Sequence, residues 1–398
     1  MGAPSPLSAG TPLPEPTRHP ATHPPGALGM VLLFLLIVLV PGIGLALGFS
    51  RATVSESEMR ELAKWPEWSW TAKAMAAWPA AFQSYFEDHF LLRNRLIDWR
   101  SAILWHGLRT SSSDQVITGK DGWLFYAADG GIDDWTQAEP FTRDEMEVWR
   151  ETLVRRRAYL SARNIRFVFV IAPDKQMIYP EFMPDTLRRL RDDFRADQLI
   201  AYMRETTPDF EIVDLRPAVL AAKDRGGDLL YHRYDTHWND RGGLVGYQAI
   251  VHALATSFPA ITPLQRSDFD TDPRVPSGDK TTMLGLTDPG KVAMPGLVLR
   301  RGDGYRLVFP EQPDPYGEVG LLTTEHRDTS LPRMVMFRDS FAGRLIPFLS
   351  EHFSRASYLW QNEFDFDEIE KEKPDVVIQE YVARHFFTFV PYPGIIPR

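Results

Sequence analysis

Residues 166–173, Arg-Phe-Val-Phe-Val-Ile-Ala-Pro, form a nearly uninterrupted apolar run, and no other stretch limits the fold as tightly. A strand with one wet face alternates polar and apolar residues. A run that is apolar on both faces belongs to a strand covered on both sides, as in a parallel sheet. The neighbouring segments continue the theme. Helical patterning over 194–206 is followed by a strand-like 211–215 and a second helix reaching Lys223. Two further strand-like runs lie at 357–360 and 375–378. This alternation predicts a mainly parallel sheet with helices on both faces. Residues 258–333 break the rhythm with Pro, Gly and short β-like runs, and are expected to be an insertion beside the site.

The stretch 334–353 carries the first chemical signal. Val335-Met336-Phe337 reads as a strand, and Phe341, Leu345, Phe348, Leu349 and Phe353 then recur at helical spacing, with Pro347 inside the pattern. Arg338-Asp339-Ser340 falls between strand and helix, which sets Ser340 at a helix entry on the carboxyl edge of the sheet. Ligands usually bind at that edge in open α/β sheets, and free backbone N–H groups there favour an oxyanion. The same Asp-Ser pair also fits a plain helix cap.

Asp235-Thr236-His237-Trp238 supplies the complement. In extended chain, residues two apart project to one face, so Asp235 can hold the imidazole Nδ1–H of His237 and leave Nε2 to take a proton from a serine. A loop histidine bonded to a neighbouring acid, or half of a metal site, fits the same four residues. Asn239 and Asp240 then cap a helix over 244–258.

Composition narrows the partners. The net charge of -9 argues against nucleic acid, and any anionic ligand needs a local basic pocket. The chain has no cysteine, which excludes disulfide and thiolate chemistry. Residues 1–26 are Pro-rich and are expected to be a disordered lead; 27–49 are apolar, apart from Gly and Pro41, for long enough to cross a bilayer. An uncleaved single-pass anchor is expected, with cleavage near residues 45–47 the weaker option. Residues 50–115 are expected to be a helical linker, with an amphipathic pattern over 80–108. Thr142 and Glu145 form a capping box for a helix to about Arg163.

Asp-Thr-His-Trp followed about a hundred residues later by Asp-Ser-Phe after an apolar strand resembles the AlgX/AlgJ-type alginate O-acetyltransferases. Tyr85-Phe86-Glu87-Asp88-His89-Phe90, Gly122-Trp123-Leu124-Phe125, Ala172-Pro173-Asp174-Lys175 and Lys373-Pro374-Asp375-Val376-Val377-Ile378 fit in the same order. The resemblance covers roughly 55–390. Arg338 stands where that family often has Gly, and Ala383-Arg384 where it often has Glu-Arg.

The resemblance implies an SGNH-hydrolase-like domain over 116–398, with Asp-x-His before the serine, the reverse of the usual order. It implies Ser340 as nucleophile, His237 as general base and Asp235 as its orienting acid, with no cofactor and no metal. Lys175, Tyr234, Arg338, Arg384 and Trp238 become candidates for meeting a glycan, while Trp123 and Trp360 suit core packing better. The reaction implied is acetyl transfer onto an exported or cell-surface polysaccharide. A multi-spanning membrane acyltransferase would supply the acetyl group, and the catalytic domain would lie on the periplasmic side of the inner membrane. A polysaccharide acetyl esterase and a non-catalytic subunit of a secretion complex are the alternatives.

Overall fold

The computed structural model describes residues 27–46, 53–55, 60–90, 93–108, 110–272, 296–309 and 320–391. The chain divides into two compact units, Met1–Val54 with Glu61–Asn94, and Ser55–Arg60 with Arg95–Arg398.

The larger unit is built on a seven-stranded sheet. Its strands and those of two small antiparallel pairs are, in chain order, β1 (Val116–Thr118), β2 (Leu124–Tyr126), β3 (Arg166–Ala172), β4 (Ile212–Asp214), β5 (Phe269–Asp272), β6 (Gly296–Leu299), β7 (Tyr305–Phe309), β8 (Leu321–His326), β9 (Arg333–Arg338), β10 (Arg355–Trp360) and β11 (Val376–Val382). The large sheet runs β4-β3-β11-β9-β10-β8-β7. The five strands from β4 to β10 are parallel, while β8 and β7 continue the edge antiparallel.

Alternate residues of the central strands enter two different cores. Val168, Val170, Met334, Met336, Val376 and Ile378 pack under the helices Arg216–Asp224 and Asp240–Leu254. Phe167, Phe169, Ile171, Val335, Phe337 and Val377 pack under Arg143–Ser161 and Arg195–Thr206. This is the covered-on-both-faces sheet that the unbroken apolar run demands, an α/β/α arrangement. The capping box at Thr142 and Glu145 is present, with both reciprocal bonds formed.

Two expectations are corrected. The stretch 258–333 is more than an insertion: it supplies β7 and β8 to the main sheet. And no long helix follows β9. Ser340–Arg344 is a 3₁₀ turn, Ile346–Leu349 a single α-turn with Pro347 in its first turn, and Ser350–His352 a further 3₁₀ turn. Pro347 lacks the N–H a continuous helix needs, and its ring excludes the preceding turn.

In the smaller unit, the helix Ala27–Ala46 contains no charged residue, and its described side chains (28–36, 39 and 43) are exposed. Among the described residues no helix is long and apolar enough to cross a membrane. Thr71 caps a second helix, Ala72–Asp88, none of whose residues is buried. The helical pattern expected over 80–108 is thus divided between that helix, Arg93–Ala102 and a short turn Ile103–Leu108.

Candidate active site

Strands β3, β9 and β11 end side by side, and their carboxyl ends hand the chain to Asp174, Asp339-Ser340 and Arg384. Ser340 opens the 3₁₀ turn and is half-buried. Asp339 caps that turn, its Oδ1 accepting the Phe341 N–H at 2.8 Å and its Oδ2 the Val382 N–H at 2.6 Å. The cap reading of the Asp-Ser pair is therefore true of Asp339, and it leaves the serine hydroxyl for other work.

The loop 231–239 brings the second half. Tyr231 and Trp238 pair as an isolated antiparallel bridge, so the residues between them bulge out as a tight loop. Asp235 Oδ1 accepts the His237 backbone N–H at 2.9 Å and lies 2.8 Å from Nδ1 of the same residue. His237 Nε2 lies 2.8 Å from Ser340 Oγ, across 103 residues of chain. The side chains of His237 and Asp235 are only 26% and 15% exposed. Burial pushes the Asp235 carboxyl up, but the imidazole bonded to it outweighs burial and holds it well below the usual carboxylate range. An ionised Asp235 fixes the tautomer that carries its proton on Nδ1, so Nε2 is the acceptor facing the serine hydroxyl.

Packing locks the two halves together. The Trp238 indole N–H donates to the Phe341 carbonyl at 2.9 Å, and the ring is fully buried. Asn239 caps the helix Asp240–Leu254 through the Arg241 and Gly242 N–H groups. That helix lies against the serine turn at Gly243, where a Cβ would meet the Arg344 carbonyl at 2.8 Å. Only glycine allows this approach.

The residues expected to meet a glycan have internal partners. Lys175 is 2% exposed, and its ammonium donates to the carbonyls of His232 at 3.1 Å, Arg233 at 3.4 Å and Asp235 at 2.6 Å, with the Phe125 ring 5.0 Å away. It pins the loop that carries Asp235. Arg384, 4% exposed, is paired with Asp174 at 2.6 Å, and its backbone N–H donates to the same carboxylate. Arg338 is fully buried, its guanidinium 4.5 Å from the Trp360 ring centroid and donating to the Asp339 carbonyl. Trp238 is consumed by the Phe341 contact. Tyr234 is half-buried against Trp105, Val116 and Leu124. Lys175, Arg338 and Arg384 are buried cations, and such a cation persists only where acceptors compensate its lost hydration.

Three further buried groups border the site without having been expected there. Glu380 accepts the Asp339 N–H at 3.1 Å, and burial together with the Asp339 charge raises its carboxyl well above the ordinary range. Asp134 is raised likewise, by burial and by Asp174. His232 is pushed down to about 4, chiefly by burial. Among the described residues no group of His, Asp and Glu side chains has the arrangement of a metal site.

The fold is α/β with a mainly parallel sheet, and Ser340, His237 and Asp235 form a hydrogen-bonded relay at its carboxyl edge. A family model described as "SGNH hydrolase-like domain, acetyltransferase AlgX" matches residues 116–301. Two proteins described as probable alginate O-acetylase AlgJ are similar. That of Pseudomonas aeruginosa is 29% identical over 164 residues, 41% of this chain and 38% of its own. That of Pseudomonas fluorescens is 27% identical over 223 residues, 53% of this chain and 51% of its own. Residues 116–301 are thus similar to the AlgX/AlgJ SGNH hydrolase-like family, and the matches span about four-tenths to half the length of these relatives. Among solved structures, Bacillus cereus PatB1 has the same fold, with a TM-score of 0.50 at 15% identity, covering 68% of this chain and 96% of that one.

Proposed function

We propose that the protein is an O-acetyltransferase that moves an acetyl group through a Ser340 acyl-enzyme onto hydroxyls of an exported polysaccharide, alginate-like in class. The observation that carries the reading is the unbroken chain of contacts from Ser340 Oγ to His237 Nε2 and from Nδ1 to Asp235, each 2.8 Å.

In the first step His237 Nε2 takes the Ser340 proton as Oγ attacks the acetyl carbonyl of the donor ester, and Asp235 stabilises the imidazolium. The Ser340 backbone N–H, at the start of the turn, is the donor assigned to the oxyanion. As the tetrahedral intermediate collapses, the imidazolium returns its proton to the departing alkoxide. In the second step His237 deprotonates a sugar hydroxyl, which attacks the acetyl-serine; the proton then passes back to Ser340. The buried ring of cations and carboxylates behind the turn keeps the two halves of the relay in register.

The apolar run 27–49 supports a tether that holds the domain at the inner membrane on its outer side, where a multi-spanning acyltransferase would present the acetyl group. The test uses purified protein with an acetyl ester and an uronate polymer. Wild-type protein should acetylate the polymer and the Ser340→Ala variant should neither acylate nor transfer. Acetate release at a rate indifferent to the polymer would replace transfer by esterase action. Full glycan acetylation in cells carrying Ser340→Ala would end the acyl-enzyme mechanism.

A further inference from the structure

Residues 65–86 contain seven aromatic side chains and only two charges, Glu67 and Lys73. The structure gathers these rings into one connected cluster. Trp65 meets Phe82 at 5.8 Å and Tyr85 at 5.1 Å, Trp78 stacks on Phe82 at 5.1 Å, and Trp68 bridges Trp70 at 5.4 Å and Trp78 at 5.8 Å. Among the described residues it stays uncovered. Trp65, Trp68 and Trp70 are 58%, 53% and 82% exposed, Met75 beside them 47%. A helix of a water-soluble domain buries one apolar stripe, yet Ala72–Asp88 buries none of its residues. An uncovered patch of this kind is an interaction surface.

We propose that the cluster is a membrane-interface element, docking Trp65, Trp68, Trp70 and the helix Ala72–Asp88 into the headgroup layer of a bilayer. Three observations select lipid as the occupant. The patch falls in the same compact unit as the uncharged helix Ala27–Ala46. Its only two charges cancel, which suits a zwitterionic surface and offers no complement to an acidic polymer. Trp65 stands edge to face against Phe82 and Tyr85, and Trp68 against Trp70, with interplanar angles of 88°, 86° and 87°, so the exposed Trp68 and Trp70 offer no common plane on which a sugar chain can lie. Tryptophan and tyrosine, apolar bodies with one polar N–H or O–H, concentrate at this depth of a bilayer. The proposal uses the tether of the preceding reading and places the domain close to the lipid surface.

Because the chain has no cysteine, one introduced thiol labels uniquely. The full chain is reconstituted in phosphatidylcholine vesicles with an environment-sensitive fluorophore at Trp70→Cys, with Met75→Cys as a second site should the first not fold. The control is Lys371→Cys, on an exposed position of the catalytic domain. Doxyl groups near the lipid headgroup should quench the labels at 70 and 75 at least twofold more than the label at 371. Aqueous iodide should quench them at least twofold less. Equal iodide access at all three positions overturns the proposal. Protection from iodide without lipid quenching also overturns it, in favour of a protein cover. Protection that appears only with added polysaccharide overturns it in favour of a glycan site. Vesicle co-flotation reports the tether separately, and acylation of Ser340 in the same labelled protein reports the proposed activity.

Discussion

Replacing Lys175 by Met tests whether a buried ammonium holds the catalytic loop. The substitution keeps an unbranched side chain of similar length among Trp123 and Phe125 and removes only the charge and its donors. The contacts at 2.6 Å and 3.1 Å are good hydrogen bonds, and that at 3.4 Å is marginal. Leaving two buried carbonyls without a donor costs about 1–3 kcal/mol each, so the variant should lose roughly 2–6 kcal/mol. That is a large share of the 5–15 kcal/mol typical of a domain, with a fall in Tm on the order of 5–15 °C. The catalytic effect is separate. The strongest of the three bonds ends on the Asp235 carbonyl, and a displacement of about 1 Å in a catalytic group costs roughly 100-fold in rate. Urea unfolding measures the first quantity and the burst of acyl-enzyme from an acetyl ester the second. A variant that is destabilised yet acylates at the wild-type rate would refute the pinning role, and one unchanged in both would refute the buried contacts themselves.

Asp235→Asn should lower acylation by about 10⁴ with little loss of fold, because the amide favours the wrong imidazole tautomer; a loss under tenfold in the burst rate would contradict the relay. His232, neutral because burial holds it down to about 4, contributes stability that is present above its unfolded value near 6.5 and is lost as pH falls towards 4. His232→Leu should therefore lose less stability than wild type between pH 7 and 4.5, by roughly 3 kcal/mol at most, as read from urea midpoints at the two pH values. Glu380 has the opposite sign: with its carboxyl raised, its contribution is complete below the unfolded value and lost as pH rises through the folded one. Glu380→Gln keeps an acceptor for the Asp339 N–H and should exceed wild-type stability at pH 8, with the gap closing near pH 4.

The parallel sheet was legible because residues 167–172 and 376–378 are apolar on both faces, a pattern few other environments tolerate. Asp235, His237 and Ser340 were legible because their residue types and strand-end positions suit one chemistry, and the structure brings them within hydrogen-bonding distance. The surroundings were not. Lys175, Arg338 and Arg384 suggest solvent when seen alone, since such side chains are rarely buried without a partner. Their partners, three loop carbonyls, the Trp360 face and Asp174, lie 22 or more residues away, where no local pattern reports them. The edge strand Tyr305–Phe309 escaped notice because it is five residues long and lies within the Pro- and Gly-rich stretch 258–333 that reads as an insertion. The short turns after Ser340 were foreshadowed by Pro347, but the aromatic periodicity suggested a longer helix than proline allows.

The bond from the Trp238 indole to the Phe341 carbonyl joins the residue after the imidazole to the residue after the alcohol. His237 and Ser340 are thus gauged against each other by their immediate neighbours as well as by the helix Asp240–Leu254 and the strand Arg333–Arg338. The loops between that helix and that strand can be lengthened or shortened while the indole stays seated. An engineer reshaping the surroundings of Ser340 would treat Trp238 and Phe341 as fixed datum points.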